Sequence, residues 1–214
     1  KDMIASVLGQ SFKVIKTQGN FNNEIGVPLT IFNLSREDEI AVIEMGMNHF
    51  GEIHNLSKIA RPDMAVITNI GTSHIENLGS REGILKAKSE IYDDMKKKGK
   101  AFLNGDDDLL VSLRDQLTVP VCFFGLSHSN DIYANKIEEK GLEGTYASIV
   151  WDSNEMQIEI PVPGRHMVYN ALVAVAIGLE LGMTKEKIKE GIKNYQASKM
   201  RMNISRNKKG IYII

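Results

Sequence analysis

Four short apolar runs, Ile40 to Met45, Met64 to Ile70, Ala101 to Leu103 and Val119 to Phe124, punctuate the chain. Between them, apolar residues recur at helical spacing over roughly 51–61, 80–96 and 107–117. Runs that are apolar throughout, rather than alternating, suit strands covered on both faces. Strands of that kind separated by helices predict an α/β fold, a mainly parallel sheet flanked by helices. Lys13 to Lys16 reads as a further strand. From Asp131 to Pro163 the pattern changes to short alternating runs such as Met156, Ile158 and Ile160. That change predicts an antiparallel subsheet with a hairpin turning near Asp152-Ser153-Asn154. Two helices are expected to follow, one over roughly 165–181 ended by Gly182 and one over 185–195 with Thr184 as N-cap.

At 214 residues the chain can bury a sizeable core, as one domain or one plus a small appendage. A helical stripe (Met3, Ile4, Val7, Leu8) is under way at the start, and the strand-like run Ile211 to Ile214 stops without a turn. The expectation is the interior of a longer protein. A net charge of −1 offers no broad basic surface for nucleic acid or an anionic membrane. Cys122, the single cysteine, rules out an internal disulfide and suits a reducing compartment. With no signal peptide or membrane-length apolar segment, the cytoplasm is the expected location.

In open α/β sheets, ligands gather beyond the carboxyl ends of the strands. Glu44 ends one apolar run, and His74 lies just past another, in Ile67-Thr-Asn-Ile-Gly-Thr-Ser-His74. Two neighbouring strands would thus present a carboxylate and an imidazole to one crevice. The plainer alternative makes Glu44 a loop cap and His74 a solvated turn residue. Lys88 falls within the stripe formed by Ile84, Leu85, Ile91, Tyr92 and Met95, whereas Lys86 and Glu90 fall on a wetter face and could pair there. A lysine in such a stripe either snorkels to water or holds its nitrogen in the crevice. An ammonium there would repel a metal cation. A carbamate formed with carbon dioxide would instead offer oxygen ligands suited to magnesium.

Gly164-Arg-His166-Met-Val-Tyr-Asn170 opens the small, apolar helix that follows, with His166 and Asn170 on one face near its start. They suit a polar ligand or, equally, neighbouring backbone groups. Thr17-Gln-Gly-Asn-Phe-Asn-Asn23 reads as a polar turn. Asn104-Gly-Asp-Asp-Asp108 lacks the spacing of a calcium loop and reads as a turn too. No G-x-x-x-x-G-K-[ST] phosphate loop occurs, which is intelligible if one lies upstream of Lys1.

Taken together, Thr17 to Thr30, Glu44-Met-Gly-Met-Asn48, Thr68 to His74, Ala87-Lys88-Ser-Glu-Ile-Tyr92 and Gly164-Arg-His166…Asn170 resemble the central domain of the Mur ligases. These are the ATP-dependent amide-forming enzymes of peptidoglycan synthesis. The resemblance implies a three-domain enzyme with a P-loop NTPase-like middle. Here 1–200 would form that middle, and 201–214 the start of the connection to a C-terminal domain. Within the family the motifs resemble the branch that adds D-alanyl-D-alanine to UDP-N-acetylmuramoyl-tripeptide. The resemblance implies ATP and two magnesium ions, with Glu44 on one ion and His74 and N6-carboxylated Lys88 on the other. It also places His166, Asn170 and Arg201 on the nucleotide side and Thr17, Asn22 and Asn23 at the muramyl-peptide site. Met167 departs from the asparagine of many relatives. A monomer is expected, inactive without the rest of the enzyme. The alternatives are another Mur-type ligase, folylpolyglutamate synthase, or a non-catalytic ligand-binding domain.

Overall fold

The computed structural model describes residues 1–197 and the backbone of two short strands at 205–206 and 212–213. Arg201 and the expected boundary near residue 200 lie outside the described residues. The chain runs α1 (Asp2–Leu8), β1 (Val14–Lys16), α2 (Gly26–Phe32), β2 (Ile40–Val42), α3 (Glu52–Ala60) and β3 (Met64–Ile67). It continues through α4 (Ile75–Leu78), α5 (Arg81–Ser89), β4 (Lys100–Asn104), α6 (Asp108–Val111) and β5 (Val121–Gly125). Then come β6 (Ile132–Glu139), β7 (Thr145–Trp151), β8 (Asn154–Ile160), α7 (His166–Glu180) and α8 (Lys185–Lys193). The two terminal strands, β9 (Ser205–Arg206) and β10 (Tyr212–Ile213), pair with each other.

The main sheet has the order β3-β4-β5-β6-β7-β8. Its first four strands are parallel and its last three antiparallel, with the hairpin turn falling at Asp152-Ser153 as the sequence predicts. One detail differs from the expectation of a purely antiparallel segment after Asp131. β6 first pairs in parallel with the last two residues of β5, Phe124 and Gly125, and then runs on past them. β1 and β2 form a separate parallel pair.

Alternate side chains of the parallel strands feed two clusters, one on each face. Phe102 and Phe124 point to the side covered by α1, α7 and α8, where α7 is buried continuously from Ala171 to Gly178. Leu103, Phe123 and Ile67 point to the other side, against Ile53, Leu56, Ile84, Ala87 and Leu110. Val14, Ile40 and Val42 of the smaller sheet join the first cluster, and Ile43 and Met45 the second. The result is three layers with helices on both faces, as the apolar runs require.

Several elements stop earlier than their patterns predict, the two strands because of side chains. β2 ends at Val42 because the Glu44 N–H donates to the Thr17 hydroxyl (2.9 Å). β3 ends at Ile67, short of the predicted Ile70, whose N–H donates to Asp107 (2.7 Å). The predicted helix over 107–117 yields only α6. Ser112, Leu113 and Arg114 bond three residues back, to Leu109, Leu110 and Val111, and tighten the chain out of the α form. Likewise the predicted 80–96 helix becomes α5 followed by a 3-10 turn at Glu90–Tyr92.

Candidate active site

The carboxyl ends of β2 and β3 and the loops beyond them gather most of the predicted residues. Thr17 is fully buried; its hydroxyl accepts from the Glu44 amide, and its own N–H donates to the Val42 carbonyl (3.1 Å). It therefore fixes the backbone of Glu44 rather than facing an open cleft. Asn22 donates from its side-chain amide to the Glu44 carboxylate (3.0 Å). That approach needs Gly46, since a Cβ there would lie 2.9 Å from the Asn22 amide nitrogen. Asn23 accepts from the Ile25 and Gly26 amides (3.2 and 2.9 Å) at the start of α2. The Lys1 ammonium lies 3.4 Å from Glu44 and donates to the Gly19 carbonyl (2.7 Å).

Beside this carboxylate opens a hollow of about 370 Å³ lined by Asn20, Asn22, Asn23, Asn48, Asn55 and His74, among others. His74 is exposed and sits in the left-handed region at φ 66°, where it starts α4. That conformation costs roughly 1–2 kcal/mol for a side chain with a Cβ. Neither Glu44 nor Lys88 lines the hollow.

Lys88 is half-buried. Its ammonium donates to the Asn69 carbonyl (2.7 Å), just past the end of β3 and five residues before His74. Burial lowers its pKa, with the charge of Asp107 acting the other way. The expected pairing of Lys86 with Glu90 is absent. Lys86 lies over the Phe50 ring, 5.7 Å from its centroid, while the Glu90 carboxylate accepts from the backbone amides of Gly51 and His54. Amides without partners at the start of α3 outcompete an exposed lysine. Among the described residues no three His, Cys, Asp or Glu side chains converge as a ready-made metal cluster.

The start of α7 lies beside the loops that follow β4 and β5. His166, its first residue, is exposed and sits against Gly164, where a Cβ would come within 2.6 Å of its ring. Asn170 is half-buried, with its amide 3.4 Å from the Met167 sulfur. Tyr169 ties this turn down by donating to Asp106 (2.9 Å), which also accepts from the Leu126 and Ser127 amides and from Asn130.

Sequence reasoning treated Asn104-Gly-Asp-Asp-Asp108 only as a turn, yet its three acids bind three different parts of the molecule. Asp106 holds the β5–β6 loop and α7. Asp107 accepts from Ile70, Leu109 and Leu110 (2.7, 3.1 and 3.2 Å), and Asp108 takes the Arg81 guanidinium through both oxygens. The cap on α6 could have been found, because Asp107 directly precedes a helical run. The reach to Ile70 could not.

The sequence profile of the Mur ligase middle domain matches residues 1–178. The chain belongs to the Mur ligase family. The Mur ligase relatives include the UDP-N-acetylmuramoyl-tripeptide–D-alanyl-D-alanine ligase of Bacillus subtilis, 41% identical over all of this chain and 46% of that protein. The Escherichia coli protein of the same name is 35% identical over 92% of this chain and 44% of its own length. This Mur ligase chain thus spans about half the length of the relatives it matches. A crystal structure of MurF from Acinetobacter baumannii superimposes with a TM-score of 0.90, at 35% identity, over 97% of this chain and 46% of that one. The MurF ligase of Thermotoga maritima, solved in complex with ADP, gives 0.86 at 29% identity over 100% of this chain and 49% of that one.

Proposed function

We propose that this chain is the nucleotide- and metal-binding middle of an ATP-dependent ligase that joins D-alanyl-D-alanine to UDP-N-acetylmuramoyl-tripeptide. The observation that carries the reading is the match, along the entire chain, to a relative bearing that ligase's name. In the reaction the tripeptide carboxylate attacks the γ-phosphorus of ATP, giving an acyl phosphate and releasing ADP. The amine of D-alanyl-D-alanine then attacks the acyl carbon, phosphate leaves, and the nitrogen gives up a proton to form the amide.

Both reactants of the first step are anions, and two magnesium ions, when bound, would offset their repulsion and the charge on the transferring phosphoryl group. Glu44 would hold one ion. Its carboxylate already faces a cation, the Lys1 ammonium, and accepts from Asn22, while Thr17 fixes its backbone amide. His74 and Lys88 as a carbamate would hold the other. The amine suits that modification, since burial favours its neutral, nucleophilic form and Asn69 aims it at the end of β3. Asn22 and Asn23 border the hollow proposed for the muramyl-peptide, with Thr17 acting through Glu44. His166, Asn170 and Arg201 would serve the nucleotide.

The test is direct. The full-length protein, given ATP, magnesium, D-alanyl-D-alanine and UDP-N-acetylmuramoyl-tripeptide with either diaminopimelate or lysine, should release one ADP per amide formed. Turnover with single amino acids but not with the dipeptide would move the protein to another branch of the family. Residues 1–214 alone should hydrolyse no ATP.

A further inference from the structure

We propose that Glu90 is a positioning residue for the metal pocket, a clamp that fixes Lys88 against the loop leading from Glu44. The proposal rests on the reading above, in which Glu44 and Lys88 serve one pocket from two separate elements. Lys88 lies near the end of α5, and Glu90 follows it by two residues. Glu44 stands at the other side, joined by Met45–Phe50 to the start of α3.

The start of α3 has no cap of its own. Gly51, the residue before the helix, has no side chain to offer. Glu52, in the first turn, is already committed to the preceding loop, where it accepts from the Asn48 amide (2.6 Å) and the His49 ring (3.1 Å). The orphan amides are therefore met from outside. Glu90 accepts from the Gly51 N–H through both oxygens (2.8 and 3.0 Å) and from the His54 N–H (3.1 Å). A carboxylate at a helix start gains from both the free donors and the helix dipole. A second tie between the same elements, Ser57 hydroxyl to Ile91 carbonyl (2.8 Å), lies further along α3 and involves no charge.

The consequence is geometric. Through Glu90, the segment carrying Lys88 and the loop descending from Glu44 hold one spacing. A misplacement of about 1 Å between groups that must act together can cost on the order of 100-fold in rate.

The experiment compares the full-length protein with its Glu90→Gln and Ser57→Ala variants. Glutamine keeps the length but loses the charge, and its NH2 group cannot accept from an amide. Glu90→Gln should lower kcat about 10-fold or more while leaving the KM for ATP within about twofold. It should also weaken Mn2+ binding, read by electron paramagnetic resonance without turnover, by a similar factor. Ser57→Ala should lower Tm yet leave kcat and Mn2+ affinity near wild type. Three results overturn the clamp while the ligase reading survives: wild-type kcat and Mn2+ affinity in Glu90→Gln, weakened Mn2+ binding without a fall in kcat, or equal losses in Ser57→Ala, which would mean general loosening. A wild-type enzyme that ligates D-alanyl-D-alanine but binds no Mn2+ overturns the clamp and the metal pocket together. A wild-type protein that does not ligate overturns the reading itself and the clamp with it.

Discussion

A lysine placed in an apolar helical stripe either carries its charge out along the stem or stays inside with a partner. Lys88 lies between these, half-buried with its nitrogen on the Asn69 carbonyl. An amine desolvated in this way is neutral more of the time than an exposed lysine, and only the neutral amine adds to carbon dioxide. Lys88→Ala in the full-length enzyme should therefore lose activity by on the order of 100-fold or more. A short carboxylic acid such as acetate should return part of it by replacing the carbamate oxygens. Unchanged turnover, measured as ADP release, would remove this lysine from the mechanism. The stripe made Lys88 legible in the sequence, because helical spacing alone puts it among Ile84, Leu85 and Ile91. Its surroundings were not legible. Glu90 finds its partner Gly51 39 residues away and Asp107 finds Ile70 37 residues away, and no local pattern encodes such a pairing. Thr17 is the converse case: a residue that the family resemblance places at the muramyl-peptide site is fully buried on the amide of Glu44.

Strands and helices were legible as elements because burial on two faces and burial on one stripe leave different periodicities. Their ends were not, since side-chain acceptors distant in sequence end β2 and β3. Contacts between helices were also hidden, and α8 against α1 is the clearest instance. Gly191 lets the two backbones meet: a Cβ there would lie 2.4 Å from the Val7 Cα, and the Ser6 hydroxyl donates to the Gly191 carbonyl (2.7 Å). In an isolated helix, glycine to alanine stabilises by about 1 kcal/mol. Here the added methyl meets backbone that cannot yield as a flexible side chain would. Gly191→Ala should therefore destabilise by roughly 1–3 kcal/mol, the cost of overpacking. A urea midpoint equal to or above wild type would show that α1 and α8 separate freely.

Across the whole molecule, the acids that tie distant segments together make the fold sensitive to low pH. Burial alone would raise the Asp106 carboxyl, but the Leu126 amide, Asn130, the Ser127 amide and Tyr169 together outweigh it and hold it below the ordinary range. Asp2 behaves alike: burial raises it, and the Lys16 ammonium at 2.7 Å, with Lys1, more than compensates. These two acids join α1 to β1 and α7 to the loops after β4 and β5. A carboxyl whose pKa is lower folded than unfolded stabilises the fold above the unfolded value, about 4, and loses that contribution as pH falls through the folded value. The urea midpoint of the domain should stay level from about pH 7 to 5 and drop below about pH 4. Asp106→Asn should start from a lower midpoint at neutral pH and show a smaller acid drop, because one of the titrating ties is already gone. Circular dichroism of urea unfolding at a series of pH values reads both effects. A midpoint that holds steady to pH 3, or an Asp106→Asn variant with the full wild-type drop, would mean these carboxylates are not what binds the layers together.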